Sequence, residues 1–319
     1  MSDVEKLKAM MDGEFDKTRF DAILAKYVNM VPWLVIDIPA RYRIFRGRPM
    51  QGDDLLYVNR KEISYPPAEC APLGRVSYKN HPMFYASVLA GGGGELPWLT
   101  IAKELEVFSK GDGRKDITFG IWENYGQLRL ATLPFSSKYK EKIPKELANI
   151  QKVWEREVKF YMPIKEIEMA TFFSDLLAQS GSPKVYQFTA GFFDFFLNHS
   201  VEGKELDGVA YISVPSEGKG FNICLRPEVA DRLDLTEARY TIFYKEGTNI
   251  SRVVYLEADT KCNPWKWRVD PYSGVDKMPE PMHTRFIKDE ARFRKDVKAS
   301  HYNRGRTKLV KKKNLRIPD

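Results

Sequence analysis

The chain has 319 residues and a mass of 36.9 kDa, room for about two average domains or one elaborate one with a full hydrophobic core. Hydrophobic residues supply 43% and charged residues 29%, which excludes wholesale disorder. No apolar run approaches the roughly 18 residues that a membrane-spanning helix needs, so no membrane partner is expected. Asp3, Glu5, Lys6 and Lys8 stand where a signal peptide would begin its apolar stretch. Cys70, Cys224 and Cys262 are scattered without metal-ligand spacing, which fits a reducing, cytoplasmic setting. Four histidines make a His-built metal site or a Ser-His-Asp triad improbable, and no metal is expected.

The net charge of +8 is unevenly placed. From Arg285 to Asp319 there are 13 Lys and Arg against 4 Asp and Glu, a local +9 that leaves the body of the chain nearly neutral. A solvated tail accounts for this composition, and a tether for nucleic acid or an acidic partner is the alternative.

In chain order, Phe20, Ile23, Leu24 and Tyr27 recur at helical spacing, and Pro32 and Pro39 close that segment. Residues 42–73, rich in Gly and Pro, predict loops with short strands. Met83 to Val88 reads as a buried strand running into the Gly91–Gly94 tetrad, a flexible turn without the residues of a phosphate-binding loop. Pro97 suits the first turn of a helix over 96–109. Ile117 to Trp122 and Gln127 to Thr132 predict a strand pair around Gly126. Helices follow over about 154–179, with a break near Pro163, and over 186–197. Strands are predicted at 209–214, 221–225, 240–244 and 253–256. Clustered short strands flanked by helices, without regular βαβ alternation, indicate an α+β fold.

Three local patterns are unusual for purely structural residues. If 96–109 is helical, Glu104 falls in the apolar stripe of Ile101, Leu105 and Phe108, where a carboxylate must be paired, used or snorkelled to water. In Arg41-Tyr-Arg43-Ile-Phe-Arg46-Gly-Arg48, alternation puts Arg46 and Arg48 on one side, as a phosphate clamp or as solvated edge-strand residues. In Val214-Pro-Ser216-Glu-Gly-Lys-Gly-Phe-Asn222, a glycine-bearing turn holds Ser216 at a strand end near Asn222. No histidine neighbours Ser216 in sequence, so a hydrogen-bonding task suits it better than nucleophilic attack.

In order, these fragments resemble the RES-domain family. The matching text is Phe45-Arg46-Gly47-Arg48, Gly74-Arg75-Val76-Ser77, Met83-Phe84-Tyr85-Ala86-Ser87, Thr100-Ile101-Ala102-Lys103-Glu104-Leu105 and Asp207-Gly208-Val209-Ala210-Tyr211 leading to Pro215-Ser216 and Asn222. The likeness covers about residues 40–244. It implies an ADP-ribosyltransferase-like mixed or antiparallel β core with flanking helices. It also implies a toxin that consumes NAD as substrate, opposed by a helix-turn-helix antitoxin. Carried over, Glu104, Arg75, Tyr85 and Ser216 would be catalytic, and Arg46, Arg48 and Asn222 would bind the dinucleotide. The segment from Tyr85 to Glu104 is longer than the family's usual spacing, which leaves Glu95 as the competing glutamate. The expected layout is an N-terminal helical segment over 1–39, a catalytic domain over 40–260 and a basic extension over 261–319. The expected reaction cleaves the nicotinamide–ribose bond and passes ADP-ribose to phosphate or water. A nucleic-acid-binding module, or ADP-ribosylation of a macromolecule, is the alternative.

Overall fold

The computed structural model describes residues 1–28, 34–50, 56–107, 111–199, 201–247, 249–270 and 287–288. Among them the chain forms α1 (Asp3–Asp12), α2 (Lys17–Leu24), β1 (Leu34–Ile38), β2 (Arg43–Pro49), α3 (Arg60–Ile63) and β3 (Phe84–Val88). Then come α4 (Pro97–Glu104), β4 (Gly113–Glu123), β5 (Leu128–Thr132), α5 (Lys145–Val153), α6 (Ile164–Leu177), α7 (Pro183–His199) and α8 (Val201–Lys204). The remainder is β6 (Gly208–Ile212), β7 (Phe221–Leu225), α9 (Pro227–Ala230), β8 (Asp234–Glu246), β9 (Asn249–Asp259) and β10 (Lys266–Val269). The class is α+β with mixed strand pairing, as the sequence predicts. Among the described residues, no helix is long and apolar enough to cross a membrane.

The described chain divides into two compact units. The first comprises Met1–Arg43, Tyr65–Thr100 and Asn124–Leu233. Its strands run in the order β1-β5-β6-β7-β3, antiparallel except for the parallel β5–β6 pair. Register sets Tyr85 opposite Cys224 and Ser87 opposite Asn222 on one face, with Val209 and Tyr211 beside them on β6. That face packs on α6 and α7. α7 is apolar nearly all round, and Phe188, Phe192, Phe193 and Phe196 are wholly buried, which marks a central rather than a surface helix. Leu7 and Met10 of α1 and Phe20, Ile23 and Leu24 of α2 join the same core. The 1–39 segment is therefore part of this unit, and the expected 40–260 domain is distributed over both units.

α1 starts on a complete capping box. Ser2 Oγ accepts from Glu5 N while Ser2 N donates back to the Glu5 carboxylate, which satisfies two of the helix's orphan amides.

The second unit comprises Ile44–Ser64, Ile101–Glu123 and the described residues from Asp234 onward. Its strand order is β2-β4-β8-β9-β10. β4 pairs with β8 over eleven residues of its length, from Gly113↔Lys245 to Glu123↔Asp234. β8–β9 and β9–β10 are also antiparallel. The side chain of Arg114 is held by Asp116 and donates to the Tyr240 hydroxyl at 2.8 Å.

Two expectations are corrected. β4 and β5 do not form a hairpin: β4 pairs with β8, and β5 pairs with β1 and β6. Asn124 explains the divergence, because its amide donates to both Pro39 and Gly126 carbonyls and turns the chain there instead of closing a two-residue loop. The helix expected over 96–109 stops at Glu104, and Glu106 takes a left-handed φ of 54°. Phe108, the far end of the expected i, i+4, i+7 stripe, lies outside the described residues. The basic tail also lies outside them, except for residues 287–288.

Candidate functional site

The turn joining β6 to β7 carries Ser216, and a dense set of local bonds fixes its shape. Ser213 N donates to Gly220 O at 2.9 Å and Gly218 N donates to Ser213 O at 2.9 Å. Lys219 N donates to Ser216 O at 3.0 Å, and Ser213 Oγ accepts from Ser216 N at 3.3 Å. Glu217 and Gly218 both have positive φ, 51° and 84°. A side chain at Gly218 would meet Tyr139 at 2.8 Å as well as straining the backbone, so the position needs glycine on both counts. Ser213 and Ser216 are buried.

The carboxylate brought to this turn is that of Glu95. Glu95 N donates to Lys219 O at 2.9 Å, which binds the backbone of residue 95 to the turn. Its Oε2 accepts a short hydrogen bond from Ser216 Oγ and a second, of 3.1 Å, from Thr100 Oγ1. Thr100 lies in the first turn of α4 and is fully buried. Glu104, preferred because Thr100–Leu105 matches the family's wording on a helix and supported by the apolar-stripe argument, is the half-buried last residue of α4. That argument needed a longer helix than the chain forms. Of the two glutamates weighed on the sequence, Glu95 is the one in contact with Ser216.

The Gly91–Gly94 segment preceding Glu95 is fastened rather than free. Gly92 N donates to Glu146 Oε1 of α5 at 3.1 Å, and Gly94 N closes on Gly91 O at 3.2 Å. Gly91 and Gly93 have φ of 79° and 86°, so the tetrad supplies backbone angles for a tight turn.

Tyr85 and Arg75 form a second group in the same unit. The Tyr85 hydroxyl meets Ser77 Oγ at 2.8 Å and accepts from Val76 N at 3.1 Å. A side chain at Gly74 would meet that hydroxyl at 2.4 Å, so the loop can lie this close only with glycine there. Burial, together with the neighbouring Cys224, pushes the Tyr85 phenol well above its ordinary value, and the Ser77 and Val76 bonds offset only part of this. Arg75, which the phenol's loop carries, is buried. Its Nη1 donates to Leu177 O at 2.7 Å and Gln179 O at 2.9 Å, and its guanidinium lies 5.3 Å from the centre of the Tyr186 ring. Leu177 O is an orphan carbonyl at the C-terminus of α6 and Gln179 O lies two residues past its end, so Arg75 caps that helix and ties down the chain leaving it. Lys138 Nζ and Tyr139 Oη share the task by donating to Ala178 O at 3.2 and 3.1 Å. Tyr139 thus links the α6 terminus to the Ser216 turn through Gly218. Asn222 lies on β7, and its Oδ1 accepts from Ser87 Oγ in the buried pair across β3 and β7.

Arg46 and Arg48 lie in the second unit, and both reach α3, in keeping with their shared side of an extended strand. Arg46 Nε donates to Ile63 O at 3.1 Å and Ser64 O at 3.2 Å, and Arg48 Nη1 donates to Glu62 O. Among the described residues, no group of three or more His, Cys, Asp or Glu is placed to hold a metal ion.

Thr100, Ser213 and Tyr139 were not singled out by the sequence. Thr100 stood inside a matched fragment, but its partner lies five residues upstream and its packing partner, Gly220, lies 120 residues away. Only the fold exposes these relations. Comparisons with protein-family models, with curated proteins and with solved structures found no match.

Proposed function

We propose that the protein consumes NAD, cleaving the nicotinamide–ribose bond and passing ADP-ribose to phosphate or water. The observation that carries this reading is the Glu95 carboxylate held by the hydroxyls of Ser216 and Thr100, in a chain whose ordered motifs resemble those of RES domains. Loss of nicotinamide leaves oxocarbenium character on the ribose, as in glycoside cleavage. A carboxylate fixed in advance at that carbon stabilises the developing cation without reorganising as it forms. Ser216 holds that carboxylate in place by donating its one hydroxyl hydrogen to it, which leaves its oxygen to accept from a ribose hydroxyl during turnover.

On this reading Glu95 does the work first assigned to Glu104. Arg75 and Tyr85 act at one remove, by fixing the 74–77 loop and the C-terminus of α6. Asn222 and Ser87 support the sheet behind them. The biological setting is a growth-inhibiting toxin masked by a helix-turn-helix antitoxin.

The test is to incubate the purified chain with NAD, with and without phosphate, and follow free nicotinamide. Turnover by the parent, its loss in Glu95→Gln and its retention in Glu104→Gln are the expected results. Intact NAD beside a folded protein refutes the activity. Loss in Glu104→Gln with turnover kept in Glu95→Gln restores the other glutamate.

A further inference from the structure

We infer that Thr100 is a positioning residue for the Glu95 carboxylate, and that Gly220 exists to admit it; the kinetic part of this inference rests on the NAD reading above. The geometry that points to Thr100 is specific. Its Oγ1 lies 3.1 Å from Glu95 Oε2, the same oxygen that receives the Ser216 hydroxyl. Two donors on one oxygen, one from α4 and one from the β6–β7 turn, fix the rotation of the carboxylate about its last bond.

The surroundings are built to keep the threonine there. Thr100 is fully buried, and its β-branched side chain is stiff about χ1. A Cβ at position 220 would stand 2.4 Å from Thr100 Oγ1 and 2.5 Å from its Cγ2, so any larger residue there displaces the hydroxyl. Gly220 is not among the glycines with positive φ, so the lack of space beside Thr100 accounts for glycine at that site. The Glu95 N to Lys219 O bond brings the neighbouring residue of the same turn against residue 95, which couples both ends of the contact to one backbone segment.

Thr100→Val keeps the shape of the side chain and removes only the hydroxyl. It lowers kcat for NAD cleavage about 10-fold, the scale for one hydrogen bond to a charged group, and leaves KM nearly unchanged. Thr100→Ser restores kcat, which a purely packing role would not allow. Gly220→Ala, made independently, retains the hydroxyl but crowds it, and shows the same selective loss of kcat.

A second measurement does not use activity. The side-chain carboxyl carbon of Glu95, labelled with carbon-13 and assigned through its absence in Glu95→Gln, shifts in Thr100→Val and returns in Thr100→Ser. A folded Thr100→Val protein with an unmoved Glu95 signal overturns the positioning role, and so does unchanged kcat in an active enzyme. A shifted signal in a protein inert toward NAD supports the positioning role and defeats the NAD reading alone. Should Thr100→Val fail to fold, Gly220→Ala carries the same two readouts, with Thr100→Ser as the variant that must leave both unchanged.

Discussion

Arg75 offers the sharpest separation between holding the fold and acting on a substrate. Arg75→Met keeps most of the aliphatic stem and removes the two bonds to Leu177 O and Gln179 O. Bonds from a charged donor contribute about 1.5–3 kcal/mol each. Part of that is returned because a buried charge no longer has to be desolvated. The expected net loss is about 2–3 kcal/mol of unfolding free energy. Arg75→Lys should recover part of the loss, since one ammonium can donate to both carbonyls as Nη1 does, but it lacks the planar guanidinium that lies over Tyr186. Urea unfolding followed by far-ultraviolet circular dichroism measures the change. A loss below about 0.5 kcal/mol together with complete loss of NAD turnover would refute the capping account and place Arg75 directly on the substrate.

Three further outcomes are expected. Gly208→Ala puts a methyl 2.1 Å from Cys224 O and 2.9 Å from Leu225 Cα, so β6 and β7 must part; unfolding free energy should fall by about 3 kcal/mol, at the top of the usual overpacking range, as read from urea midpoints. Tyr85→Phe strands Val76 N and Ser77 Oγ and should cost about 1–3 kcal/mol, while hydrogen exchange at Val76 accelerates over the parent. Burial raises the Asp3 carboxyl, but hydrogen bonds and charge from Lys26 and Lys6 outweigh it and hold the group below its ordinary 3.8. Its folded-state value is thus depressed, so its contribution is present above about pH 4 and lost as pH falls through the folded value; Asp3→Asn should flatten acid unfolding in that window.

The core and most element positions were legible because burial imposes period. The phenylalanines of α7 and the largely unbroken apolar runs of β6 and β7, buried at every position, announce themselves without long-range information. Pairing was less legible. Ile117 to Trp122 and Gln127 to Thr132 are strands, yet nothing local says that Asn124 sends them to different partners. The contact between Glu95 and Ser216 was illegible for the same reason. Glu104 was favoured because Thr100–Leu105 matches the family's wording on a helix, and the apolar stripe that supported it required a helix longer than α4, which ends at Glu104 before the left-handed Glu106. Glu95 meets Ser216 across 121 residues of sequence, a relation made by the β3–β7 and β6–β7 pairings and by the bond from Glu95 N to Lys219 O. Thr100 was invisible for a related reason, since its value depends on an absent side chain at Gly220.

The phenol of Tyr85 has a genetic consequence. It ties Gly74, Val76 and Ser77 to the sheet and so sets the loop from which Arg75 reaches α6. In an unbiased screen for inactive variants, positions 74, 75 and 85 should score together and second-site suppressors of one should arise at the others. Such a hit map would outline a mechanical joint that a survey of ligand contacts would overlook.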